Sequence, residues 1–172
     1  MRHGSCAINI IDVLLAFSQL ALGLAGFAAI LVALSGSPSQ WTAVDAFRIK
    51  NMLAFSFAGI FLALVPVLLT FFTVPEPELW KTSLLVLATF TFGGALFALA
   101  GVRRLSVPER AVLRGPLVVI VLSILLTAAS IEAIMAFGSA TAAPGVFFAG
   151  LLVMLGMAVY LVVRFLFART PA

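Results

Sequence analysis

Five stretches of this chain contain no Asp, Glu, Lys or Arg: 13–44, 51–75, 82–102, 115–131 and 133–163. Crossing the hydrocarbon core of a bilayer takes about 20 mostly apolar residues in a helix. The backbone polar groups of such a segment are satisfied within it, which restricts spanning structures to helices and closed barrels. Barrel strands alternate polar and apolar residues over about ten positions, whereas these runs are continuous and far longer. The sequence therefore predicts an all-α integral membrane bundle of five transmembrane helices with short loops. The spans fall approximately at 9–34, 51–73, 81–101, 116–137 and 146–167 of a single domain covering 1–172. With 64% of the residues hydrophobic and only 9% charged, no soluble domain is expected beside it.

The net charge of +4 does not point to nucleic acid, because the basic residues sit at the ends of the spans. That placement is the positive-inside pattern. With the N-terminus outside, only Arg2 and Lys81 of the ten basic residues fall outside and eight fall inside, which puts the C-terminus in the cytoplasm. The lone cysteine, Cys6, excludes an internal disulfide and a thiolate metal cage. Cys6 and His3 in a tail do not make a metal set, and no cofactor is expected. The first span exceeds the 7–15 residues of a signal-peptide core and is preceded by Asp12 rather than a basic segment, so it is expected to be retained.

Small residues recur along the first span at Ala21, Ala25, Ala29 and Ala33, with Gly23 and Gly26 beside them. Such spacing lets membrane helices approach closely. Asp12, Ala16, Gln19 and Gly23 form a second, polar-to-small stripe at helical spacing, and the first span is expected inside the bundle. Ahead of the second span, Pro38 breaks the chain, Ser39 or Thr42 can cap a helix, and Asp45 can pair with Arg48. The second helix should therefore begin before the membrane, with Trp41 as an interfacial anchor and a kink at Pro66. Trp80 is expected at the other interface, and VRRLSVPERAVLRG forms the largest polar connection. The two later helix pairs run in the same sense, so an inverted-repeat transporter architecture is not supported.

Two carboxylates stand out because an acid within a span needs a partner or a task. Asp12 and Glu132 lie at similar depth, about 5–8 Å from the outer boundary at ~1.5 Å per residue. Asn9 and Gln19 share their side of the first helix, and Lys81 begins the third span at the same height. Three arrangements are open. One acid pairs with Lys81, or the two acids approach and share a proton, or each reaches interfacial water alone. Catalytic signatures are lacking: there is no HExxH, no GxSxG, no phosphate-binding glycine loop and no histidine within a span. No enzymatic activity is expected.

The runs LALGLAGFAAILVAL, WTAVDAFRI, MLAFSFAGIFLALVPVLL, ELWKTS and FFAGLLVMLGMAVYLVVRFLF carry a resemblance. Together they resemble a group of uncharacterised bacterial polytopic inner-membrane proteins over most of the chain. That resemblance implies a bacterial inner-membrane location and supplies no activity or catalytic residue. The function expected is that of a structural or accessory protein packing against itself or a membrane partner. The alternative is a small proton- or cation-linked transporter or channel that uses Asp12 and Glu132.

Overall fold

The computed structural model describes residues 10–34, 41–113, 115–138 and 143–167, and within these all side chains but those of 115–117. Six helices follow one another: α1 (Ile10–Leu34), α2 (Ala43–Phe71), α3 (Glu76–Arg104), α4 (Val107–Val112), α5 (Gly115–Phe137) and α6 (Ala143–Phe167). All but α4 are long and apolar enough to cross a membrane, and there is no strand among the described residues.

Helix starts follow local chemistry rather than hydropathy. Thr42 caps α2 in a reciprocal box: its Oγ1 accepts the Asp45 N–H at 3.1 Å, and Asp45 Oδ2 accepts the Thr42 N–H at 3.3 Å. This satisfies donors that a helix N-terminus otherwise leaves orphaned, so α2 begins well ahead of the apolar window. α3 begins early too, at Glu76, with Pro77 in its first turn and two acids at the positive end of its dipole. Helix α4 was not predicted. Its signal is the S-x-x-E of Ser106 and Glu109, where the Ser106 N–H and hydroxyl donate to Glu109 Oε2, each at 2.7 Å. Pro66 lies buried inside α2, which continues past it to Phe71.

α3 and α6 pack together at the centre, with α2 against both on one side and α5 against both on the other. α1 lies outside this group, against α2 and, over a short stretch, α6. The expectation that the first span lies inside is thus corrected. Its buried face is Leu14, Phe17, Ser18, Ala21, Ala25 and Ala28. The antiparallel seam with α2 sets Ala21 against Gly59 and Ala28 against Met52, so small residues allow close approach there. At ~100° per residue, Asp12, Ala16, Gln19 and Gly23 centre about 180° from that face, and all four are exposed. The apolar face won because it buries large side chains against α2. Ala29 and Ala33 are exposed as well.

Trp80 packs inward. Near the start of α3 it is buried against α6, its ring 6.0 Å from that of Phe147 in an edge-on arrangement. The early start of α3 carries Trp80 into the bundle, onto α6.

Candidate functional site

Glu132 is the most deeply buried charged residue type among the described residues, 1% exposed. It projects from α5 into the junction with α3 and α6. Gly150 of α6 leaves room for it: a Cβ at that position would collide with Glu132 Oε1 and would stand 2.6 Å from Leu87 Cδ2 of α3. Neither carboxyl oxygen meets a hydrogen-bond partner among the described residues. The nearest polar side chain, Thr91, donates its proton to the Leu87 carbonyl at 2.9 Å, and Ser83 donates to the Leu79 carbonyl at 2.8 Å. Both hydroxyl protons are committed to their own helix, so Thr91 lies beside the carboxyl without a proton to give it. Phe147, one turn from Gly150, and Trp80 packed on it lie buried toward the helix ends. Burying a polar group without a compensating hydrogen bond costs roughly 1–3 kcal/mol by protein mutational measures.

The other residues singled out by the sequence do not gather around Glu132. Asp12 and Gln19 are exposed on the outward face of α1, which lies against α2 and α6 rather than α5. Lys81 Nζ is 4.0 Å from Glu78 Oε2 and 5.9 Å from the centre of the Phe137 ring. No ion pair joins Lys81 to either Asp12 or Glu132 among the described residues. Asn9 lies outside the described residues.

The outward face of α1 presents a different arrangement. Gln19 lies nine residues into α1, about 13 Å along the helix at ~1.5 Å per residue, and so well within a span. Hydroxyls on other outward faces bond to their own helix, Thr89 to the Leu85 carbonyl and Ser130 to the Leu126 carbonyl, each at 2.8 Å. The Gln19 amide has no such bond among the described residues. Beside it, a Cβ added to Gly23 or Gly26 would meet nothing within 4 Å, so neither glycine serves packing within the chain. Ala16, Gln19, Gly23 and Phe27 line an open groove shared with Leu155 and Val159 of α6. Leu20 and Leu22 flank it, both strongly exposed.

A second polar cluster was missed in the sequence because its arginines were accounted for by topology. Arg48 is buried, only 5% exposed, with its guanidinium 3.8 Å from Asp45 and within electrostatic reach of Arg164 and Tyr160. Asn51, also buried, donates from Nδ2 to the Phe47 carbonyl at 2.8 Å. By contrast Arg103 and Arg104 are exposed, and Arg110 caps the end of α3 by donating to the Leu105 and Arg103 carbonyls.

Fold and surface together define an α-helical, multi-pass membrane protein whose exposed apolar side chains contact lipid. No protein-family model matches the chain, and neither a curated protein nor a solved structure matches it.

Proposed function

We propose that this is an accessory membrane protein that works by lateral packing of α1 against another transmembrane helix, of a second copy or of a partner protein. The observation that carries this is the exposed stripe of Asp12, Ala16, Gln19 and Gly23, opposite the face that α1 turns to α2 and bordering an open groove whose far wall is α6. The hydrocarbon core offers no partner to the Gln19 amide, whereas a second helix offers both a hydrogen bond and close contact over the small residues. Glycine also costs a helix interior about 1 kcal/mol relative to alanine, and Gly23 has no neighbour in the chain that requires it. No catalysis is assigned. The location proposed is a bacterial inner membrane, with the N-terminus outside and the C-terminus in the cytoplasm. Cys6 should then react with an impermeant thiol reagent in intact spheroplasts, and reaction only after lysis would invert the orientation.

The packing is tested by oxidative cross-linking in native membranes, with Cys6→Ser as background. Gln19→Cys should give a covalent adduct of a second copy or a partner. Phe61→Cys, on an exposed face of α2, should not. Equal yields from the two positions would overturn the assignment.

One observation favours a second reading, small proton- or cation-linked transport: the unpartnered carboxyl of Glu132. Against it, Asp12 sits on a different face of the molecule, and the fully buried Leu87, Leu125, Leu151 and Met154 pack around the bundle centre. Glu132→Gln would abolish such transport while leaving the protein folded and inserted. Unchanged flux in proteoliposomes would dismiss this reading.

A further inference from the structure

At the arginine-rich end of the bundle residues of α2, α3, α5 and α6 line a narrow cavity of about 70 Å³. That is too small for a whole drug-sized ligand, whose sites run roughly 300–1,000 Å³, so a bound molecule would place only part of itself inside and the rest along the open mouth. Among the described residues the polar side chains on its wall are Arg48, Asn51, Tyr160 and Arg164, and no carboxylate lines it. The remaining wall is apolar and comes from all four helices, with Phe55, Val102, Val121, Leu122 and Met157 among its residues. Positive-inside placement alone does not explain this arrangement. It calls for arginines that reach outward to headgroups and water, as the exposed Arg103 and Arg104 do. Arg48 is instead buried and set near a second guanidinium. Its own counter-charge is a long 3.8 Å contact to Asp45, whose Oδ2 already serves the cap of α2. Two neighbouring cations over an apolar chamber complement a molecule with an anionic head and a hydrocarbon tail.

We propose that this cavity binds an anionic phospholipid, its phosphate held by Arg48 and Arg164 and its first methylenes lying along the apolar wall between α3, α5 and α6. Guanidinium suits phosphate because its donors form a planar fork that engages two oxygens at once. Basic pockets between transmembrane helices are a recurrent way of holding such headgroups. Free inorganic phosphate would engage the arginines but leave the apolar wall unused, and a zwitterionic lipid would bring its own cation toward the pair.

The test uses the full chain, delipidated in a neutral detergent, with native mass spectrometry and thermal unfolding as readouts. The probes are dioleoyl phosphatidylglycerol, dioleoyl phosphatidylcholine and inorganic phosphate. Phosphatidylglycerol should be retained and should raise the unfolding temperature more than either of the others. Arg164→Ala should weaken its retention by roughly tenfold or more, the loss expected for a hydrogen bond to a charged group. Arg103→Ala, an exposed arginine at the same end, should leave retention unchanged. Equal binding of the two lipids would overturn the proposal. So would phosphate acting as well as phosphatidylglycerol, or an Arg103→Ala loss equal to that of Arg164→Ala, which would mean diffuse surface attraction.

Discussion

Replacing Gly150 by alanine tests the junction around Glu132 directly. The added methyl would collide with Glu132 Oε1 and would stand 2.6 Å from Leu87 Cδ2 and 3.1 Å from Glu132 Cδ. Carbon atoms settle about 3.5–4.0 Å apart, so either the Leu87 and Glu132 side chains or α6 itself must give by about 1 Å. The atoms in the way are the ends of two side chains, and both are buried, Leu87 0% and Glu132 1% exposed, so neither can swing out into solvent. Overpacking of this kind costs about 1–3 kcal/mol. Glu132→Ala vacates one of the two obstacles, so Gly150→Ala should cost less in that background. The coupling expected for side chains in contact is about 0.5–3 kcal/mol. Reversible unfolding of the four proteins of the cycle in mixed micelles, followed by circular dichroism, measures it. If the two substitutions add to within about 0.5 kcal/mol, Glu132 does not lie against Gly150 and the description of the junction is wrong.

Other outcomes follow from the helix starts. Thr42→Ala removes the acceptor of the Asp45 N–H and should cost about 1 kcal/mol in the same unfolding experiment, whereas Thr42→Ser should cost little. The Ser106 hydroxyl and N–H hold the Glu109 carboxyl below the usual carboxylate range. With its folded pKa depressed, the contribution of Glu109 is complete above the unfolded carboxylate range and is lost as pH falls through the depressed value. A carboxyl NMR titration should show Glu109 protonating at lower pH than in the Ser106→Ala variant, and identical titrations would refute the cap.

The helical class and the number of spans were legible because uncharged windows of this length have few folded solutions. The cap of α2 was legible too, since Thr42 and Asp45 are three residues apart and act locally. What failed was orientation about a helix axis. α1 carries two stripes of comparable regularity, and composition favoured burying the polar one. Which face turns inward depends on how well Leu14 and Phe17 fit against α2, and that information lies in the partner helix. The burial of Trp80 against Phe147 was not legible for a related reason: the start of α3 is set by Pro77 and the acids beside it, not by the apolar window. At the site, the depth of Glu132 was readable from its position in the span. Its neighbours Gly150, Leu87 and Thr91 are distant in sequence, and no local spacing announces them. The Arg48–Arg164 cavity was hidden because a topological rule already accounted for both arginines.

The claim that α1 packs laterally on a second helix is tested most directly by the mass of the particle in native membranes. The chain alone weighs 18.1 kDa. After extraction into lipid nanodiscs without prior detergent, the wild-type protein should form a particle carrying at least one further polypeptide. Gly23→Leu, whose Cβ meets no atom of the chain and whose longer side chain occupies the open groove, should reduce that particle to the single chain. A wild-type particle that already contains one chain alone, or a Gly23→Leu particle of unchanged mass, would contradict the account.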